Sequence, residues 1–171
     1  MKGISVFGGA IRVLVLVLAQ VLLFKGLVLY DQAFCFAYIL IFLLIPTDTN
    51  PLLQLILGFV IGISVDAFYH TLGVHAAASV LLCYARYYWS QFMTPNGGYD
   101  AGPKINVRTQ GLEWFLTYSY PLILLHSLLL FFIEAGGFGL FWLTLGKAFY
   151  SSLFTTLIVI IIQYLFYKKM K

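Results

Sequence analysis

The side chains best suited to chemistry lie in the stretch 51–78, PLLQLILGFVIGISVDAFYHTLGVHAAA, where one carboxylate and two histidines interrupt apolar sequence. Asp66 and His70 are four residues apart and so share a helix face, and His75 follows just past a turn. A D-x-x-x-H spacing with a further histidine suits a metal site or a proton relay. The same two histidines would serve equally well to cap a helix or bond backbone at an interface. The H-E-x-x-H pattern of membrane metalloproteases is absent. His126 falls in the middle of another apolar segment, where it can bond a neighbouring helix or mark a proton path. None of Ser64, Ser79, Ser119, Ser127, Ser151 and Ser152 has the G-x-S-x-G context that exposes and activates a hydroxyl, and Walker A and G-x-G-x-x-G patterns are missing. The expectation is a non-catalytic protein with no catalytic residue, metal or cofactor.

The elements that position these residues follow from composition. Of 171 residues, 62% are hydrophobic and only 9% charged. With a mean hydropathy of +0.96, these values define an integral membrane protein. Apolar segments predict spans over about 11–30, 33–45, 51–70, 73–93, 112–134 and 138–167, which makes one all-α domain over 1–171, a six-helix bundle. The first span reads as a signal anchor rather than a cleaved signal peptide, because its apolar run is long and no small-x-small site follows. The second is short and ends at Pro46. Thr47, Asp48, Thr49 and Asn50 then supply turn and cap types before Pro51 opens the third. The fourth ends in YARYYWSQF, whose aromatics suit a membrane interface to which Arg86 would snorkel. Pro121 predicts a kink in the fifth span. The last stretch, after the turn at Gly136 and Gly137, exceeds one upright span and requires either a tilt or a re-entrant start before Lys147. Cys35 and Cys83 lie in apolar runs without C-x-x-C spacing and read as packing residues.

Six crossings put both termini on one side together with the polar loop between Thr94 and Gly111. Lys2, Arg12, Lys104, Arg108, Lys168, Lys169 and Lys171 then share that side, and the positive-inside rule makes it the cytoplasm. The net charge of +4 therefore concerns orientation in a bilayer and not nucleic acid. The loop itself is either a partner contact or a solvated connector.

Packing residues complete the picture. Gly58 and Gly62 form a small-xxx-small row for close helix approach, and Asp66 continues it. A carboxylate in such a segment costs about 2.5 to 3.5 kcal/mol to insert, so it must face protein or water. Measured from Gly8 and Pro51 at 1.5 Å per residue, Lys25 and Asp66 rise about 25 and about 22 Å, a depth that permits them to pair. The alternative has Lys25 snorkelling by itself while Asp66 bonds hydroxyl or backbone groups.

The stretch GFVIGISVDAFYHTLGVHAAAS resembles the MreD family of bacterial rod shape-determining membrane proteins. A Gly-containing third helix, an Asp near its outer end and Leu-Gly-x-x-Ala opening the next helix map to Gly58, Gly62, Asp66, Leu72, Gly73 and Ala76, while Ala67, Phe68, Tyr69 and His70 stand where many relatives have a small, Gly-containing turn. The resemblance implies a fold similar to the S components of vitamin importers, without transport. It implies an inner-membrane adaptor of the cell-elongation machinery that binds MreC, linked to MreB, the RodA glycosyltransferase and its transpeptidase partner in peptidoglycan synthesis. A second expectation is an S-component-like subunit binding a small ligand at the outer face, with His70, His75 and Glu134 available to line a cavity.

Overall fold

The computed structural model describes residues 2–94 and 105–166, with side chains from residue 9 onward. Lys2 as a side chain, Lys104, Lys168, Lys169 and Lys171 thus lie outside the described residues, as does most of the polar loop. The chain is mostly helical. Helix α1 (Lys2–Ala19) continues through a π-helical turn, Gln20–Phe24, into a small hairpin of β1 (Val28–Leu29) and β2 (Ala33–Phe34). A five-residue helix α2 (Ile39–Leu43) precedes the long α3 (Pro51–Tyr69) and α4 (Val74–Phe92). A single turn α5 (Val107–Gln110), then α6 (Leu112–Glu134) and α7 (Phe141–Phe166) complete the chain. Three of these helices, α3, α6 and α7, are long and apolar enough to cross a membrane, and the first helix adds the shorter apolar run Gly9–Phe24.

Local sequence accounts for the helix ends. Asn50 caps α3 by accepting Leu52 N–H at 2.8 Å, and Pro51 occupies the first turn, where a missing N–H costs nothing. His70 closes α3 in the left-handed region at φ 56°. Gly136 and Gly137, both at positive φ, make the turn between α6 and α7. The long final stretch resolves into one continuous helix of 26 residues, about 39 Å at 1.5 Å per residue, with no re-entrant start before Lys147.

The expected second span, 33–45, is where the structure departs most from a bundle of spanning helices. Only Ile39–Leu43 is helical, and the chain before it is strand and irregular backbone. Residues 35–43 are buried throughout and form the centre of the core, packed by Ile61, Val65, Leu82, Phe115, Tyr118 and Ile123. The segment connects the hairpin to the start of α3 at Pro51. Helices α3 and α4 pack along each other, α6 lies against both α4 and α7, and α7 covers β2. Buried backbone outside regular structure needs other partners for its polar groups, and here side chains from the π-helical turn and α7 supply them. Phe34 N–H donates to Ser151 Oγ at 2.9 Å and Phe36 N–H to Thr155 Oγ1 at 3.0 Å. Gln20 Nε2 donates to Cys35 O at 2.9 Å while its Oε1 accepts from Tyr38 N–H at 3.2 Å.

Candidate functional site

Three groups of buried polar side chains tie the molecule together, one joining α3 to α4 and two holding the internal segment to the helices around it. The first is centred on Asp66. Helix α4 begins after Gly73, which sits at φ 80° and has no side chain with which to cap it. Asp66, projecting from the last turns of α3, takes over that role. Its Oδ1 accepts from His75 N–H at 3.0 Å and its Oδ2 from Ala76 N–H at 2.9 Å. These are two of the first amides of α4, and a carboxylate there also meets the positive end of the helix dipole. Thr71 Oγ1 also donates to Oδ1, and His75 Nδ1 lies 3.2 Å from that oxygen. Asp66 is 1% exposed, so this shell of donors replaces water entirely.

Lys25 and Asp66 do not pair. Lys25 Nζ instead donates to Phe68 O at 2.6 Å and lies over the Tyr69 ring at 5.2 Å. It satisfies a carbonyl in the last turn of α3, where a cation is favoured, and remains exposed. The two charges reach the same end of the molecule, as their depths require, but Asp66 turns toward α4 and Lys25 toward the end of α3. The Asp66–His70 spacing makes no site either. His70 is exposed, and its backbone N–H closes α3 on Asp66 O. His75, nine residues on, is the histidine that meets the carboxylate.

In the second group Tyr38 OH bonds His126 Nε2 at 2.7 Å and lies 3.3 Å from Ser79 Oγ, which joins the internal segment to α6 and α4. The third group is built on Arg86, which is fully buried instead of snorkelling. Its Nε donates to Tyr118 OH and its Nη1 to Gln54 Oε1, both at 2.7 Å, and its Nη2 to Ile45 O. One guanidinium thereby fastens α6, α3 and the end of the internal segment to α4, a use of the planar fork that lysine cannot copy. Sequence reading missed this role because the acceptors come from three distant segments and only the aromatic neighbours of Arg86 were local.

The glycine row is an interface with α4. A Cβ on Gly62 would stand 2.5 Å from Ala76 Cα, and one on Gly58 would stand 3.0 Å from Cys83 Sγ and 3.1 Å from Ser79 O. Gly62 therefore sits against the α4 turn that Asp66 caps, and close approach and capping depend on each other. Cys35 and Cys83 are free and buried.

Other candidates do not converge. His70 and Glu134 are exposed while His75 is enclosed. A cavity of about 460 Å³ between the hairpin and α7, and another of about 410 Å³ between α4 and α6, are lined by none of the three. Among the described residues, no three His, Cys, Asp or Glu side chains gather to hold a metal ion. Comparison with protein-family models, curated proteins and solved structures finds no match to this chain.

Proposed function

We propose that this protein is a non-catalytic adaptor of the bacterial cytoplasmic membrane, acting in cell elongation in the manner of MreD by holding an MreC-like membrane protein. The observation that carries the reading is the use made of its reactive side chains. Asp66, His75, Arg86, Gln20 and Gln54 all bond backbone or structural side chains inside the protein. The outward faces are broad and apolar, with Leu52, Ile56, Phe59 and Ile63 on α3 and Leu153, Leu157 and Ile161 on α7 exposed. A rigid interior with a lipid-compatible exterior is what an adaptor needs, and it offers partner helices a fixed surface.

The reading extends to a six-crossing topology in which the internal segment replaces one helix, with both termini in the cytoplasm. Arg108 supports this orientation. It donates to Tyr164 O at 2.6 Å, which puts a loop cation at the same end as the end of α7. RodA, its transpeptidase partner and MreB would join the complex through the MreC-like protein. Depletion in a rod-shaped host tests the role. Rounded or lysing cells, restored by this chain, are expected; unchanged rods would overturn it.

A further inference from the structure

Between the hairpin and α7 runs a groove of about 460 Å³, lined by Leu29 and Ala33 on the strands and by Tyr150, Leu153, Phe154 and Leu157 on the helix. These walls are apolar, and α7 is one of the helices long and apolar enough to cross a membrane. From Tyr150 to Leu157 the groove follows α7 for about 10 Å at 1.5 Å per residue. Spread over that length its volume averages about 45 Å² in section, roughly half of what a helix about 10–12 Å across would fill. Such a groove admits an extended hydrocarbon chain and is too narrow to take in a helix.

A cation stands in line with it. Lys147, Tyr150, Phe154 and Leu157 recur at spacings of three and four residues and so share one face of α7. Lys147 is thus one turn beyond Tyr150, and its Nζ lies 5.9 Å from the ring of Phe34, the neighbour of Ala33 in β2. Lys147 is half-buried, and among the described residues no carboxylate pairs with it, the ion pair present being that of His75 with Asp66. Asp31, at the turn of the hairpin, does not supply the missing anion. A cation on a membrane-spanning helix is costly unless water or an anion meets it.

We infer that an anionic phospholipid occupies this groove, with one acyl chain lying between the hairpin and α7 and its phosphate meeting the Lys147 ammonium. Lysine binds phosphate as a point charge. The step of three residues from Lys147 to Tyr150, about 4.5 Å along the helix, matches the short glycerol link between a phosphate and an acyl chain. The inference rests on the membrane placement of α7 and not on the adaptor role.

The test uses the full chain in two measurements. With a photoreactive benzoylphenylalanine in place of Leu153, irradiation of membranes from the expressing cells should give phospholipid adducts. A crosslink to a second copy of this chain, or to another polypeptide, would overturn the inference. The unmodified chain in mixed micelles is then titrated with phosphatidylglycerol or phosphatidylcholine and read by native mass spectrometry. It should retain one phosphatidylglycerol in preference to phosphatidylcholine. Lys147→Gln should lower that preference roughly fivefold, the effect of one lysine charge near an anionic headgroup, and Lys147→Arg should preserve it. Arg108→Gln should leave it unchanged, because that guanidinium is bonded to Tyr164 O, about 25 Å further along α7. An unchanged preference in Lys147→Gln, or an equal loss in Arg108→Gln, would overturn the site.

Discussion

Asp66 illustrates how a single costly side chain is held by hydrogen bonds inside the protein. Its two oxygens meet donors on both sides, so Asp66→Asn must turn an NH₂ toward an N–H of His75 or Ala76. The change should destabilise the protein by about 1 to 3 kcal/mol, read as a lower SDS midpoint for unfolding in mixed micelles; an unchanged midpoint would contradict the capping role. Arg86→Lys should lose about as much in the same assay, because one ammonium cannot reach Tyr118, Gln54 and Ile45 together. Depth was readable at this scale, since rises along α1 and α3 bring Lys25 and Asp66 to one end. Direction around the helix was not readable from rise alone. A signal was nevertheless present: α4 opens on Gly73, which cannot cap, so a neighbouring acceptor had to be found for its amides.

Among the elements, α3, α6 and α7 were legible because their apolar runs exceed any soluble requirement and are bounded by Asn50-Pro51, Gly111 and Gly136-Gly137. The segment 33–45 was not, because a buried strand and a buried helix turn both read as an unbroken apolar run. Its clues lay elsewhere in the chain, in Gln20 and in Ser151 and Thr155, whose polar atoms serve its backbone. Replacing both hydroxyls, Ser151→Ala with Thr155→Val, should leave Phe34 and Phe36 N–H unpaired and lower stability by roughly 2 to 5 kcal/mol, measured by the same titration. Wild-type stability would show that the segment does not depend on α7. Gly62→Leu should separate α3 from α4, with reduced accumulation in the membrane. Gly146→Ala, whose Cβ meets nothing within 4 Å, should accumulate normally. Equal yields of the two variants would remove the close-packing account.

For the whole molecule, the Tyr38 and Arg86 groups anchor α3, α4 and α6 to one buried segment and the Asp66 group joins α3 to α4, while the outer faces of α3 and α7 stay exposed and apolar. Such an arrangement is what the proposed adaptor role asks of the protein. Composition makes the membrane class legible, whereas the choice of partner depends on an outer face whose residues carry no directional hydrogen-bond pattern. Affinity purification of the tagged chain from gently solubilised membranes of an elongating host, co-expressing an MreC-like protein, tests the central claim most directly. The account predicts co-elution of the two in a fixed ratio. Elution of the chain alone, or with an ATP-hydrolysing transport module in place of the MreC-like protein, would contradict it.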